Sequence, residues 1–172
     1  MTMTALTSTA PWIYFAGPLF TQGEAIFNES LANRLRSQGY QIYLPQEACA
    51  GITDPQALFA TCMRGLEGAS AVLVILDGPD ADSGSCFEMG VAYAKELPIV
   101  GLRTDFRGSG EHMGLNLMLT HSCVHLLIST LEERSSTDRV TYLRPGQDGL
   151  AELLTVLRSI PGAERARSGD WG

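Results

Sequence analysis

The chain has 172 residues, of which 45% are hydrophobic and 18% are charged, a composition typical of one globular domain rather than a disordered or fibrous protein. Its formal net charge of −7, without a basic stripe, counts against a nucleic-acid partner. The apolar run that ends at Leu76 is far too short to cross a bilayer. Since no secretory leader is evident either, we predict a cytoplasmic protein with no membrane partner.

The thiols and imidazoles of the chain lack the spacing of a metal site. The four cysteines form no C-x-x-C pair, and the three histidines have no acidic or cysteine neighbours at ligand spacing. We therefore predict free thiols, no metal and no cofactor, with disulfides or a metal site as the less favoured alternatives. The missing G-x-G-x-x-G and P-loop motifs also disfavour a dinucleotide or an NTP. These residues are Cys49, Cys62, Cys86, Cys123, His112, His121 and His125.

Five short apolar runs are predicted strands, and each is followed by a stretch whose apolar residues recur at helical spacing. Gly39 ends the first helix, and Asp54 and Pro55 begin the second as N-cap and first residue. In chain order, the predicted strands are residues 12–16, 40–44, 71–76, 98–102 and 124–128. The predicted helices are residues 26–38, 54–68, 85–97, 115–119 and 147–159.

This alternation predicts one α/β domain over residues 11–160, with flexible tails at residues 1–10 and 161–172. Strands that alternate with helices form parallel sheets covered on both faces. The right-handed crossover rule then leaves few topologies. We predict a single-domain three-layer sandwich with a mostly parallel, five-stranded sheet in a flavodoxin-like or Rossmann-like order.

The ligand crevice of such a fold lies at the carboxyl ends of the strands, where three predicted loops meet. Glu88 would lie in the first turn of the helix after strand three, whose inner face would hold Phe87, Val91, Ala92 and Ala94. Acids, aromatic rings and amides without a Lys/Arg phosphate cradle suit a nucleoside better than a nucleotide. The candidate crevice residues are Tyr14, Gly17, Phe20, Gln46, Glu47, Asp82, Gly84 and Glu88.

Three of these candidates also have purely structural explanations. A solvated glutamate such as Glu88 is favoured at a helix start by the macrodipole. Asp82 could cap the helix or set its turn, and Tyr14 could be a half-buried strand aromatic. From the residues alone, both readings of each side chain stay open.

Several motifs, taken together and in order, resemble the nucleoside 2-deoxyribosyltransferase family. The most specific is D-S-G-x-x-F-E-x-G with a downstream N-L-M, whereas Y-F-A-G-P alone is weak. The resemblance covers roughly residues 12–128. The matching segments are Tyr14–Phe20, Leu76–Gly78, Asp82–Ala92, Pro98–Gly101, Arg103–Asp105 and Asn116–Met118.

The resemblance implies transfer of 2-deoxyribose between nucleobases in nucleotide salvage, with substrates that are a 2′-deoxynucleoside and a free base. Glu88 matches the nucleophile that attacks the anomeric carbon and forms a deoxyribosyl ester. Tyr14 matches the tyrosine that orients this carboxylate, and Asp82 matches the aspartate that contacts and helps to protonate the base. Asn116 and Met118 match residues that complete the site of a neighbouring subunit, which implies a homo-oligomer.

The chain departs from the family pattern at Cys62, where some members have an aspartate near the base. The base contacts of Gln46 and Glu47 rest on their position alone. One alternative function is a 2′-deoxynucleoside 5′-monophosphate N-hydrolase, but the first loop lacks an arginine for the phosphate. A non-catalytic nucleoside-binding module is the other alternative, and the joint presence of the tyrosine, both acids and the N-L-M segment counts against it.

Overall fold

The computed structural model of the chain describes residues 11–108, 113–161 and 163. The predicted tails therefore lie outside the described residues, apart from Pro161 and Ala163. No helix in the described part is long and apolar enough to span a membrane. The strands are β1 (Trp12–Ala16), β2 (Ile42–Tyr43), β3 (Ala69–Ile75), β4 (Ile99–Arg103), β5 (His125–Ser129) and β6 (Val140–Leu143). The helices are α1 (Gln22–Ser37), α2 (Pro45–Ala48), α3 (Pro55–Glu67), α4 (Ser83–Ala94), α5 (Leu117–Ser122) and α6 (Leu150–Ser159).

The six described strands form one sheet in the order β2-β1-β3-β4-β5-β6, with all neighbours parallel. The first five positions follow the flavodoxin-like order, so the predicted fold class is confirmed. The predicted count of five strands is wrong, because β6 adds a sixth at the edge. Three of its four residues are only partly buried, so this strand has no continuous apolar run in the sequence. Helix α2 was also not predicted, since its four residues carry no helical periodicity.

Helices cover both faces of the sheet, and alternate residues of β1 point to opposite faces. Ile13 and Phe15 join the core formed with α1 and α6, whereas Tyr14 and Ala16 join the core on the side of α3, α4 and α5. Tyr14 is fully buried. Its side chain therefore leaves the sheet on the face where α4 carries Glu88.

A stack of three aromatic rings supports Tyr14 between the sheet and α3. The Tyr43 ring lies 5.6 Å from the Tyr14 ring at an interplanar angle of 14° and 5.8 Å from the Trp12 ring at 27°. The Tyr43 hydroxyl donates a 2.8 Å hydrogen bond to the Thr61 carbonyl, and the Trp12 indole donates one of 2.7 Å to the Gly65 carbonyl. These contacts fix the position of Tyr14 relative to α3.

The close approach of α3 to this stack depends on the absence of a side chain at Gly65. A Cβ atom built there would lie 2.2 Å from the Tyr43 ring. Such a contact is possible only if the ring or the helix moves, and core overpacking of this kind usually costs about 1–3 kcal/mol. The glycine thus allows the helix to lie directly on the aromatic rings.

We expect Gly65→Ala to lower the free energy of unfolding by about 1–3 kcal/mol, measured by urea denaturation followed by circular dichroism. The matched control is Gly23→Ala in α1, where the nearest atom to a built Cβ is 4.0 Å away and stability should hold or rise slightly. Equal stability of the two variants would contradict the packing role of Gly65.

Candidate active site

A tyrosine and a glutamate meet at the point where the strand order reverses, between β1 and β3, which is the usual ligand position in open α/β sheets. The hydroxyl of Tyr14, on β1, donates a hydrogen bond of 2.5 Å to Glu88 Oε1, on α4. The two residues are 74 positions apart in the sequence. The tertiary fold therefore creates this pair, as the family resemblance implied.

Glu88 lies in the second turn of α4 and not in the first, because the helix begins at Ser83. The prediction of a first-turn position is therefore wrong, and the helix macrodipole does not account for this glutamate. Burial raises the pKa of Glu88 to about 6; the Tyr14 hydrogen bond works against this rise, and the charge of Asp82 adds to it. The carboxylate is thus desolvated but still mostly ionised at neutral pH.

The second acid, Asp82, is the N-cap of α4. Its Oδ2 accepts hydrogen bonds from the backbone nitrogen of Ser85 at 2.7 Å and from the Ser85 hydroxyl at 2.9 Å. Among the described residues, Oδ1 has no hydrogen-bond partner. Asp82 therefore caps the helix with one oxygen and has the other available for a ligand. Gly84 follows in the first turn, where a built Cβ would lie 3.2 Å from Asp82 Oδ2.

The loop after β1 is held close to β3. A Cβ built at Gly17 would lie 3.1 Å from the Ile75 side chain, so a larger residue would push this loop away from the sheet. Asn28, buried on α1, donates a 2.8 Å hydrogen bond to the Pro18 carbonyl. The Phe20 side chain is 80% exposed and available to contact a ligand or another subunit.

The two predicted base contacts on α2 make very different interactions. Gln46 accepts a 3.4 Å hydrogen bond from Asn28 and donates one of 3.0 Å to the Ala25 carbonyl. Its amide thus ties α2 to α1 at the crevice. The Glu47 carboxylate receives two hydrogen bonds from Arg36, at 2.8 and 2.6 Å, and the pKa of Glu47 is lowered by this partner.

Two cysteine thiols form a pair near Tyr14. Cys62, on α3, lies near Tyr14 and contributes to the raised pKa of that phenol, and its sulfur is 3.8 Å from that of Cys49. All four cysteines are free thiols. The sequence placed Cys62 near the base through the family pattern, but no signal in it paired Cys62 with Cys49.

Met118 lies on the opposite side of α4 from Glu88 of the same chain, and Asn116 precedes it at the start of α5. Asn116 caps α5 by accepting a 2.8 Å hydrogen bond from the Met118 nitrogen. Met118 borders a cavity of about 290 Å³ together with Cys86, Met89, Gly90 and Tyr93 of α4. At 3.6 residues per turn, these four residues centre about 150° around the helix from Glu88. Met118 therefore faces away from the Glu88 of its own chain.

Large apolar side chains surround the crevice and α5. Met118 is 69% exposed and Phe87 is 52% exposed, with the Phe87 ring 6.1 Å from that of the exposed Phe59. The prediction that Phe87 and Ala94 form the inner face of α4 is wrong, because both are exposed. The buried positions are Ser85, Met89 and Ala92, so the inner stripe includes a polar residue that an apolar pattern overlooks.

One positioning residue was not found from the sequence. Arg103, at the end of β4, is buried and donates hydrogen bonds to the carbonyls of Leu76 at 2.6 Å, Gly78 at 3.1 Å and Asp105 at 3.1 Å. These bonds fix the loop that leads from β3 to Asp82. The signal in the sequence that could have identified this role is a single arginine at the end of an apolar strand.

The same described residues contain no group of three or more His, Cys, Asp or Glu side chains that could hold a metal ion.

Comparison with known families identifies the type of protein. The family model described as nucleoside 2-deoxyribosyltransferase matches residues 13–119, more than half of the chain, including Tyr14, Asp82, Glu88 and Asn116. The chain belongs to the nucleoside 2-deoxyribosyltransferase family. Membership indicates an enzyme with a deoxyribosyltransferase type of activity. A comparison of the chain with curated proteins finds no match.

Solved structures with the same fold include three from different organisms. A conserved protein from Enterococcus faecalis V583 is 26% identical, with a TM-score of 0.63, over 86% of this chain and 99% of that chain. A 2-deoxyribosyltransferase from Bacillus psychrosaccharolyticus is 22% identical, with a TM-score of 0.57, over 66% of this chain and 83% of that one. A 2-desoxiribosyltransferase from Leishmania mexicana is 19% identical, with a TM-score of 0.51, over 74% and 90%.

The raised pKa of Glu88 has a consequence for the stability of this deoxyribosyltransferase-family protein. Folding raises the pKa from its usual 4.5 to about 6, so the native state binds the proton more tightly than the unfolded chain does. The stabilisation that the protonated Glu88 gives to the folded protein is complete below pH 4.5 and is lost as the pH rises through 6. At pH 7.5 the ionised Glu88 then costs about 2 kcal/mol, from a 1.5-unit shift.

We expect Glu88→Gln to raise the free energy of unfolding by about 1–2 kcal/mol at pH 7.5, and the gain to vanish near pH 4. Urea denaturation at both pH values measures this difference. Glu47→Gln is the control with the opposite sign, because Arg36 lowers the pKa of Glu47: it should lose stability at pH 7.5. An equal gain from Glu88→Gln at both pH values would show that ionisation is not its cause.

Proposed function

We propose that this protein transfers 2-deoxyribose between nucleobases through a covalent ester on Glu88, with retention of configuration at C1′. The observation that carries the proposal is the desolvated Glu88 carboxylate held by the Tyr14 hydroxyl at 2.5 Å. A largely desolvated carboxylate beside a ligand crevice, with no cationic partner among the described residues, is arranged for reaction and not for stability. We also propose a cytoplasmic role in nucleotide salvage.

In the first half-reaction, a Glu88 oxygen attacks C1′ as the bond between C1′ and the base nitrogen breaks. The electron pair of that bond leaves with the base, which takes up a proton. The transition state has oxocarbenium character, which the carboxylate stabilises and then traps, as in retaining glycosidases. A 2′-hydroxyl would disfavour this cation inductively, so 2′-deoxy substrates react more readily.

In the second half-reaction, a nitrogen of the incoming base attacks C1′ on the face that the first base left. The ester bond to Glu88 breaks, and the acceptor base loses its proton. Two successive inversions give net retention. Because the pKa of Glu88 is about 6, the carboxylate is both ionised for attack at neutral pH and a good leaving group for the return step.

Tyr14 and Asp82 have separate roles in this scheme. The Tyr14 hydroxyl donates to one Glu88 oxygen and so aims the other at C1′. The pKa of Tyr14 itself is raised by burial and by the neighbouring Glu88 charge, so the phenol keeps its proton and remains a donor. Asp82 contacts the base through its unused Oδ1 and passes the proton to and from it.

We further propose that a second copy of the chain completes each site. Asn116 would reach the sugar hydroxyls, and Met118 would cover the crevice together with Phe20 and Phe87. Support comes from the position of α5 on the far side of α4 and from the exposure of these three apolar side chains, a pattern typical of interaction surfaces. Exclusion of water by this cover would favour transfer over hydrolysis.

The remaining predicted contacts are assigned to the base and to the walls of the site. Gly17 and Gly84 let the first loop and the start of α4 approach the ligand, and Gln46 presents an amide edge. Glu47 would reach the base only by leaving Arg36, so we expect it to contribute least among these residues.

The proposed function is tested by incubating the protein with deoxyinosine and adenine and separating the nucleosides by chromatography. We expect formation of deoxyadenosine, and a loss of about a thousandfold or more in rate for Glu88→Ala, because the covalent nucleophile is gone. Glu29→Ala, an exposed glutamate on α1, is the control and should keep the normal rate.

Near-normal rates for Glu88→Ala would refute the nucleophile assignment. Release of free base with no exchange, only from the 5′-monophosphate, would instead identify an N-hydrolase.

A mixing experiment tests the shared site. Asn116→Ala and Glu88→Ala should each be almost inactive alone, because every site in either homo-oligomer is defective. After dissociation and reassembly of an equal mixture, some sites should combine an intact Glu88 with an intact partner Asn116, which restores about a quarter of the normal activity by random assortment. No recovery in a mixture shown to have exchanged subunits would exclude the shared site.

A further inference from the structure

Two thiols approach each other next to the catalytic tyrosine. Cys49 is the C-cap of α2, Cys62 lies on α3, and both are partly buried. Their sulfur atoms are 3.8 Å apart, against about 2.05 Å in a disulfide bond. A displacement of under 2 Å, shared between a four-residue helix and its neighbour, would therefore allow the bond to form.

This thiol pair is connected to the nucleophile through a single side chain. The Cys62 thiol is close enough to Tyr14 for the two groups to affect each other's pKa, and the Tyr14 hydroxyl donates its hydrogen to Glu88. A change at Cys62 consequently alters the group that holds the Glu88 carboxylate.

We propose that Cys49 and Cys62 form an oxidation site, in which a hydroperoxide converts the two thiols into a disulfide that lowers deoxyribosyl transfer. The effect on transfer rests on the proposed function above. The disulfide itself depends only on the two thiols and their separation.

The chemistry requires one hydroperoxide and two thiols. The Cys49 thiolate attacks the peroxide oxygen, the O–O bond breaks, and a sulfenic acid and one water form in the case of hydrogen peroxide. The Cys62 sulfur then attacks the Cys49 sulfur, the S–O bond breaks, and a second water leaves with the Cys62 proton. The two sulfurs together lose two electrons, which reduce the peroxide.

The order of attack follows from the environment of the two thiols. Burial raises the pKa of Cys62 to about 11, so this thiol is protonated at neutral pH and is not the first to attack the peroxide. It gives up its proton only in the second step, as it attacks the adjacent sulfenic acid. Cys49 is flanked by the exposed Ala48 and Ala50 and is the thiol that an oxidant reaches. Reactivity of this kind follows access and thiolate supply.

The disulfide would disturb the site in two ways. The Cys62 sulfur would lose its hydrogen and move toward α2, which changes the surroundings of the Tyr14 hydroxyl. Helix α2 would be drawn toward α3, although Gln46 ties it to α1. Both changes shift the Tyr14 hydroxyl relative to Glu88, so the oxidised protein should transfer deoxyribose more slowly.

The test treats the full-length protein with a modest excess of hydrogen peroxide and then quenches the oxidant. We expect the loss of two of the four free thiols and a cross-linked peptide containing Cys49 and Cys62 by mass spectrometry. The exchange rate should fall at least tenfold and recover after dithiothreitol. Each variant is compared with its own reduced state, so that an effect of the substitution on the basal rate does not enter.

Cys49→Ser should abolish both the cross-link and the reversible loss of activity. Cys86→Ser is the matched control, because Cys86 is also partly buried and contacts the Ala81 carbonyl, away from Tyr14; it should remain sensitive. Four intact thiols, a cross-link at other positions, or a Cys49–Cys62 cross-link with an unchanged exchange rate would each overturn the proposal. Thiol counting and mass analysis need no substrate, so a failure of the proposed function would be recognised separately by the absence of exchange in the reduced protein.

Discussion

The hydrogen bond between Tyr14 and Glu88 is the interaction on which the rest of the site depends. The Glu88 carboxylate on α4 is largely removed from water and has no cationic partner in the described part of the chain. Its partner is a neutral phenol. The phenol holds the charged carboxylate in place without neutralising its charge. A cation in an ion pair would neutralise it. The shift of the Glu88 pKa to about 6 is the measurable sign of that balance between desolvation and hydrogen bonding.

The fold supports this hydrogen bond from both sides. On the strand side, the rings of Trp12 and Tyr43 hold Tyr14, and Gly65 lets α3 pack directly against them. On the helix side, Asp82 caps α4 and so determines where Glu88 lies along it. The loop before Asp82 is in turn held by the buried Arg103. Packing and helix capping thus fix the positions of the Tyr14 and Glu88 side chains.

The alternation of strands and helices was predictable from the sequence because apolar runs and breakers such as Gly39 and Pro55 are local signals. The core of the sheet and its flavodoxin-like order follow from them. Strand β6 was not predictable, since a half-buried edge strand has no strong pattern, and neither was the start of α4, where serine and glycine replace the apolar residues of a typical helix.

The candidate site was predictable only in part. The motif around Glu88 and the family resemblance indicated the main residues, and the structure brings Tyr14 and Glu88 together as implied. The contacts of Cys49 with Cys62, and of Arg103 with the β3–α4 loop, join segments that are distant in sequence. No local pattern encodes such contacts. The hydrogen bonds from Arg36 to Glu47 could not be predicted for the same reason.

The two oxygens of Asp82 have different roles. Oδ2 caps the start of α4, and Oδ1 is available to the proposed ligand. A replacement that changed base recognition would still have to supply a short side-chain acceptor for the Ser85 nitrogen, a requirement met best by Asn, Ser or Thr. Few residue types can therefore replace Asp82 without loss of the helix cap.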